Sequence, residues 1–142
     1  IIGGQNSYDR EHNEAARLLA EERGNVQILQ ATTDRGFLAS LMKNTKVLAQ
    51  PSFYETPGLA PLEAAACGTA VVVSERGCTR EYFGDEAYYC DPTDADSIRR
   101  AVEAALARGP SELLTERIGR EFTWQRAAEE TKLAYRQLLN TR

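Results

Sequence analysis

The amino-acid sequence predicts an α/β fold with a doubly wound, mainly parallel sheet. Short β-rich runs alternate with amphipathic helical patterns along the chain, and this alternation is typical of βαβ units. The connections between the runs are short, which favours right-handed crossovers. One run, Val71-Val72-Val73, is continuously apolar, as expected for a strand that is covered on both faces of a parallel sheet.

Length and charge bound the class of protein. The chain has 142 residues, enough for one domain with a single hydrophobic core. Its 17 basic and 21 acidic residues give a net charge of −4. This argues against a general nucleic-acid or anionic-membrane surface, because both need a basic footprint. No apolar run approaches the roughly 20 residues that would cross a bilayer.

The first elements are a strand and a helix. Ile1–Gly4 has the pattern of the end of a buried strand followed by a turn, so we expect the chain to be a piece of a longer protein. Ser7 is the expected N-cap of a helix that runs to about Arg23. Val26–Leu29 is a second β-rich run.

The remaining elements continue the alternation. Thr33 or Asp34 is expected to cap a second helix, and its inward face carries Phe37, Leu38, Leu41 and Met42. The later elements are, in order, a strand at Val47–Ala49, a loop from Gln50 to Gly58, a helix over Leu59–Cys67, a strand at Val71–Val73, one helical turn at Arg80–Phe83, a strand at Ala87–Cys90, a helix that Asp94 or Asp96 caps, and helical sequence from Glu112 to about Leu139.

The cysteines and the histidine do not form a recognisable site. Cys67, Cys78 and Cys90 are an odd number without C-x-x-C spacing, so we expect neither a disulfide framework nor a zinc site. Reduced thiols of this kind are typical of a cytoplasmic protein. His12 is the single histidine and is interpreted as structural or solvated. The sequence implies no metal and no cofactor.

The segment from Gln50 to Ser74 carries the candidate chemistry. Glu55 lies in the loop after a predicted strand, and Glu63 follows eight residues later, one turn into the next helix. Gly58 between them would let a ligand approach the backbone, and the free N–H groups at a helix N-terminus suit a phosphate or diphosphate. Carboxylates accept hydrogen bonds from hydroxyls, as on a ribose or hexose. The ligand that fits is a sugar–phosphate–nucleotide.

The same segment resembles the E-x7-E region of family-4 retaining glycosyltransferases, which have the GT-B architecture of two Rossmann-like halves. The resemblance rests on Pro51-Ser52, Glu55, Gly58-Leu59, Pro61-Leu62-Glu63-Ala64, Cys67-Gly68-Thr69 and Val71-Val72-Val73-Ser74, and weaker likeness extends over nearly the whole chain. It implies that residues 1–142 are the C-terminal, nucleotide-sugar-binding half, including helices over 112–140, with the first strand of the Rossmann-like sheet lying before Ile1.

The resemblance also implies roles for single residues. Glu63 should hold the ribose hydroxyls, and Glu55, the expected catalytic residue, should face the donor hexose. Backbone amides at Gly58 and Leu59 should meet the diphosphate. The nucleobase should be lined by Leu29, Gln30 and Ala31. The donor would be a UDP-, GDP- or ADP-sugar whose hexosyl group passes to an acceptor.

Two departures from the family pattern bear on activity. Thr56-Pro57 stands where relatives often have a Gly-Phe-like pair, and Pro57 fixes φ and removes an N–H, so the sugar-facing loop should differ in shape. No counterpart of the family's diphosphate-clamping Arg and Lys occurs, since they would precede Ile1. We therefore expect this fragment to be inactive alone. Acceptor binding, and any peripheral membrane contact, would belong to the absent N-terminal half.

Other α/β functions fit less well. A dinucleotide-dependent oxidoreductase needs G-x-G-x-x-G after its first strand, and a P-loop protein needs G-x-x-x-x-G-K; neither motif is present. Two alternatives stay open. One is a nucleotide-sugar epimerase or hydrolase of the same architecture, and the other is a non-catalytic binding module.

Overall fold

The computed structural model describes residues 10–29 and 32–140, which fall into two compact units divided after Leu38. In the first unit, α1 covers Arg10–Arg23. The expected strand Ile1–Gly4, the Ser7 cap and the His12 side chain lie outside the described residues. The expected strand Val26–Leu29 is wrong in its extent: only Leu29 makes a β-bridge, since no described strand pairs with the run along its length.

Helix α2 covers Arg35–Lys43, and its N-cap resolves an ambiguity of the sequence. The backbone N–H of Phe37 donates to Asp34 Oδ1 at 3.0 Å, so Asp34 rather than Thr33 is the capping residue. A carboxylate in this position satisfies one of the N–H groups that the first helical turn leaves free.

The second unit contains a three-stranded parallel sheet. Its strands are β1 (Val47–Gln50), β2 (Ala70–Ser74) and β3 (Tyr88–Cys90), in the order β1-β2-β3. Both pairings are parallel, and every residue of β2 is buried. The predictions of a parallel sheet and of a central strand at Val71–Val73 are confirmed.

The second unit also contains five helices: α3 (Leu59–Ala66), α4 (Thr79–Phe83), α5 (Ala95–Arg108), α6 (Glu112–Glu121) and α7 (Trp124–Asn140). Of these, α3 and α5 contact the strands directly, and α6 packs against α3. Val71 and Val73 belong to one hydrophobic cluster, with residues of α3 and α6, whereas Val72 packs in another with residues of α5. Alternate side chains of a strand point to opposite faces. The sheet is therefore covered on both sides, as a doubly wound fold requires.

Side-chain hydrogen bonds fix two helix starts, those of α5 and α7. Asp94 caps α5, and its carboxylate accepts from the Asp96 N–H, so Asp94 is the cap that the sequence left open. The helical stretch from Glu112 onwards is interrupted, because α6 ends at Glu121. The hydroxyl of Thr123 then accepts from the Arg126 N–H at 3.2 Å, which starts α7 with a new N-cap.

Candidate functional site

The loop between β1 and α3 holds Glu55 at the carboxyl edge of the sheet, where α/β proteins bind ligands. Glu55 is half-buried. Its Oε2 accepts two hydrogen bonds, from Gln50 Nε2 at 2.5 Å and from Ser52 Oγ at 2.9 Å. The carboxylate is thus tied to the end of β1 by groups from its own loop.

The backbone of this loop is attached to the last residue of β2 and to the segment that follows it. Ser74 Oγ donates to the Ser52 carbonyl at 2.5 Å, and the Cys78 N–H donates to the Glu55 carbonyl at 3.1 Å. Glu55 and Gly77 form a parallel β-bridge. Gly77 has φ +87°, and a Cβ there would run into the Glu55 carbonyl oxygen. Close approach of the two loops therefore requires glycine at this position.

Glu55 also lies over the N-terminus of α3. The Thr56–Pro57 peptide bond is cis, and the next residue, Gly58, is the N-cap with φ 63° and ψ 66°. A Cβ on Gly58 would come within 2.9 Å of Glu55 Cγ. The glycine leaves the space that the Glu55 side chain fills, next to the positive end of the helix dipole.

The first turn of α3 presents backbone donors. Leu62 N–H donates to the Gly58 carbonyl at 3.2 Å, whereas the N–H groups of Leu59 and Ala60 meet no acceptor within residues 10–29 and 32–140. Pro61 has no N–H. Two free donors at a helix N-terminus can bind the oxygens of a phosphate group.

Glu63 differs from Glu55 in its surroundings. It is exposed, and in the described part of the chain its side chain makes no hydrogen bond or ion pair. It lies four residues after Leu59, hence on the same face of α3, and Leu59 is likewise exposed. This carboxylate is free to accept hydrogen bonds from a ligand that approaches the solvent face of α3.

The structure brings together four of the seven predicted site residues. Glu55, Gly58, Leu59 and Glu63 lie on one loop and one helix of the second unit. Leu29 is half-buried in the first unit. Gln30 and Ala31 lie outside the described residues, so the nucleobase site stays a prediction.

A concavity lies between the loops that follow β2 and β3. It has a volume of about 410 Å³ and is lined by residues that include Glu75, Arg76, Cys90 and Asp91. Hydrogen bonds from Thr93 hold the pKa of Asp91 below its ordinary value, and the Arg76 guanidinium, 3.5 Å away, adds to that effect. Burial raises the pKa of the Cys90 thiol, so this cysteine is a poor nucleophile.

Sequence reasoning missed Gln50, Ser52 and Gly77 as parts of the site. Gln50 and Ser52 flank Pro51 directly before Glu55, and a donor side chain so close to a candidate carboxylate is a signal that could have been used. Gly77 lies 22 residues after Glu55, and only the pairing of two loops reveals its role.

The described residues contain neither a candidate membrane span nor a candidate metal cluster. No helix there is both long and apolar enough to span a membrane. In the same part of the chain, no group of three or more His, Cys, Asp or Glu side chains is arranged to hold a metal ion.

The chain is similar to known proteins over most of its length. The family model described as "Glycosyl transferases group 1" matches residues 1–121. A "GDP-mannose-dependent alpha-(1-6)-phosphatidylinositol dimannoside mannosyltransferase" of Mycobacterium tuberculosis is 36% identical over 100 residues, covering 68% of this chain and 26% of that protein. An "Alpha-maltose-1-phosphate synthase" of the same species is 33% identical over 133 residues, covering 84% of this chain and 34% of that protein.

A solved structure supports the fold over almost every residue. The sucrose-phosphate synthase of Thermosynechococcus elongatus matches 99% of this chain and 38% of its own chain, with a TM-score of 0.81 and 27% sequence identity. This chain therefore spans about a quarter to two fifths of the length of these relatives.

Proposed function

Because this chain belongs to the group 1 glycosyl transferases, we propose that it is the donor-binding domain of a retaining glycosyltransferase of GT-B architecture. Its substrate would be a nucleoside-diphosphate sugar, from which a hexosyl group passes to an acceptor. The acceptor would bind to an N-terminal half outside this chain.

One observation carries the proposal: a tethered carboxylate and free backbone donors meet at the start of α3. Glu55 is held over Gly58 by Gln50 and Ser52, and the N–H groups of Leu59 and Ala60 lie in the next turn. Sugar hydroxyls need acceptors and a diphosphate needs donors. Glu63, exposed on the same helix, supplies a further acceptor for ribose hydroxyls.

The α3 backbone donors, Glu55 and Glu63 have separate roles in the proposed reaction. In retaining transfer, the bond between the anomeric carbon and the diphosphate oxygen breaks, and a bond to the acceptor oxygen forms on the same face. The acceptor proton passes to the departing diphosphate. The α3 donors stabilise the charge that develops on the diphosphate, as preorganised dipoles do. Glu55 orients the hexose, and Glu63 holds the nucleotide.

The donor nucleotide remains one of UDP, GDP and ADP. One relative is named as GDP-mannose-dependent, so GDP-mannose is the first donor to test. The proposal places the protein in the cytoplasm. This is supported by three free cysteines, Cys67, Cys78 and Cys90, because disulfides are rare in reducing compartments.

The test is a product assay on the natural full-length protein with GDP-mannose, UDP-glucose and ADP-glucose. We expect one donor to bind and to yield nucleoside diphosphate together with a glycosylated acceptor from a panel of lipid and sugar acceptors. Release of free sugar or of an epimerised nucleotide sugar, without transfer to any acceptor, would favour a hydrolase or epimerase. Absence of binding by all three donors and by their nucleoside diphosphates would overturn the proposal.

A further inference from the structure

The two hydrogen bonds that Glu55 accepts converge on a single oxygen. Gln50 Nε2 and Ser52 Oγ both donate to Oε2, and no described residue donates to Oε1. Within the described residues, the single buried side-chain N or O atom without a partner is Arg117 Nε. Oε1 is therefore not sealed inside the protein, and solvent or a ligand can reach it.

The two donors are themselves held in place. Gln50 is the last residue of β1 and pairs in register with Val73 of the central strand. The Ser52 carbonyl accepts from Ser74 Oγ, and the Ser74 carbonyl accepts from Thr79 Oγ1 at 2.6 Å. Ser74 and Thr79 are both buried. The tether of Glu55 is thus anchored in the core of the sheet rather than in mobile surface side chains.

We propose that Gln50 and Ser52 are positioning residues for donor-sugar recognition: by occupying Oε2, they aim Oε1 of Glu55 at the hexose. This inference rests on the proposed function, because it takes Glu55 to face the donor sugar. A carboxylate accepts hydrogen bonds in defined lone-pair directions. Its orientation therefore selects which sugar hydroxyl finds an acceptor, and the tether sets that orientation before the donor arrives.

A merely structural role of the same two residues would have different consequences. If Gln50 and Ser52 served only to hold the loop, their loss would lower the stability of the protein and weaken the binding of every ligand of the site alike. If they position Glu55, their loss weakens binding of the nucleotide sugar more than binding of the nucleoside diphosphate. The informative quantity is the affinity for the nucleotide sugar divided by the affinity for the nucleoside diphosphate, because a general loss of folded protein cancels in this ratio.

The experiment measures this ratio by titration calorimetry on the full-length protein. The ligands are a nucleotide sugar from the panel of GDP-mannose, UDP-glucose and ADP-glucose and the matching nucleoside diphosphate. The variants are Gln50→Met, which keeps the length of the side chain but removes the donor, and Ser52→Ala. Ser52→Thr keeps the hydroxyl and serves as the conservative variant. Ser111→Ala removes the N-cap of α6, a loss of stability far from Glu55 in sequence, and is the control.

We expect Gln50→Met and Ser52→Ala each to lower the affinity for the nucleotide sugar by about three- to tenfold, the range of one ordinary hydrogen bond, with little change for the nucleoside diphosphate. Ser52→Thr should keep most of the wild-type affinity ratio. Ser111→Ala should lower the melting temperature and leave the affinity ratio unchanged. In a Glu55→Ala background, where no carboxylate remains to be aimed, adding Ser52→Ala should have no further effect on the ratio.

The outcomes separate this inference from the proposed function. If Glu55→Ala lowers the ratio but Gln50→Met and Ser52→Ala leave it unchanged, the positioning role is overturned and the donor site stands. Equal losses for both ligands would assign the two residues a structural role and would also overturn it. If the wild type binds no nucleotide sugar, or if Glu55→Ala does not move the ratio, the assignment of Glu55 to the sugar fails, and this inference fails with it.

Discussion

At the level of single residues, the two glutamates of the site differ in how the fold holds them. Glu55 is half-buried and accepts hydrogen bonds from Gln50 and Ser52. Glu63 is exposed on α3, and its side chain has no partner among the described residues. A tethered carboxylate suits selection between sugars, whereas a free one suits a flexible ribose. The two should therefore differ when they are removed.

We expect Glu63→Ala to lower the affinity for nucleoside diphosphate by at least about tenfold, since a hydrogen bond to a charged group contributes about 1.5–3 kcal/mol. Glu55→Ala should lower the affinity for the nucleotide sugar and leave the affinity for the nucleoside diphosphate unchanged. Calorimetric titration of both ligands against both variants measures this. Glu103→Ala, an exposed glutamate on α5, is the control for loss of charge. Equal losses for both ligands in both variants would contradict the division.

Two glycines with similar φ angles allow a matched test of the loop contact. Gly77 has φ +87° and Gly68 has φ +80°, but a Cβ on Gly77 would meet the Glu55 backbone, whereas a Cβ on Gly68 would meet nothing within 4 Å. Gly68→Ala should cost about 1–2 kcal/mol of unfolding free energy through the left-handed backbone alone. Gly77→Ala should cost at least about 1 kcal/mol more.

Urea denaturation of both glycine variants would measure that difference, and nucleotide-sugar titration would follow the site. The larger destabilisation should be accompanied by weaker sugar binding only in Gly77→Ala, because Gly77 lies against Glu55. Equal unfolding free energies for the two variants would show that the loops separate without cost.

At the level of elements, the start of α5 shows how a cap is chosen between two neighbouring acids. The sequence permits Asp94 or Asp96. In the structure, the Asp94 carboxylate accepts from the Asp96 N–H, whereas the Asp96 carboxylate pairs with Arg99 at 2.9 Å on the exposed surface. An N-cap satisfies a backbone donor that the helix cannot, and an exposed ion pair contributes little.

Asp94→Ala should therefore lower the unfolding free energy by about 1 kcal/mol, as typical N-cap removals do. Asp96→Ala should lower it by only about 0.3–1 kcal/mol, through the helix dipole. The two variants are matched in charge, and each also loses one exposed ion pair with an arginine. Thermal unfolding followed by circular dichroism measures both. A larger effect at Asp96 would mean that the cap had been assigned to the wrong acid.

At the level of the whole molecule, the central strand joins both sides of the second unit. Val71 and Val73 contribute to the cluster with Leu62, Leu114 and Ile118, and Val72 contributes to the cluster with Ala101 and Ala105. The same strand ends at Ser74, whose hydroxyl holds the Ser52 carbonyl. The hydrophobic core and the candidate site are therefore connected through one buried strand.

We expect residues 1–142 alone to transfer no sugar. Transfer requires donor and acceptor at a reacting distance of about 3–3.5 Å, and in the proposal the acceptor half lies outside this chain. The fragment should bind nucleoside diphosphate weakly, in the high micromolar to millimolar range that corresponds to about −4 to −5 kcal/mol. A radiolabelled-donor assay of the fragment beside the full-length protein measures this. Measurable transfer by the purified fragment, free of contaminating enzyme, would refute the expectation.

The sequence by itself determined the parallel α/β arrangement, the burial of Val71–Val73 and the loop that carries Glu55. These features depend on local patterns: the alternation of β-rich and helical periods, a continuous apolar run and a glycine before a helix. The resemblance of the Gln50–Ser74 segment to a family then predicted the chemistry, and the family assignment is confirmed. The roles of Glu55 and Glu63 stay predictions.

Only the tertiary structure decided which groups hold Glu55 and where the helices stop. Gly77 and Ser74 reach the Glu55 loop from beyond the next helix, and no local pattern records a contact between segments that meet only after the sheet has formed. The choice of Asp94 over Asp96 as the cap of α5 depends on hydrogen-bond geometry, because the sequence pattern allows either acid. The break between α6 and α7 likewise depends on the hydrogen bond that Thr123 accepts. Propensity and periodicity act between near neighbours, whereas the site is made by packing, which brings distant residues to within a few ångströms of one another.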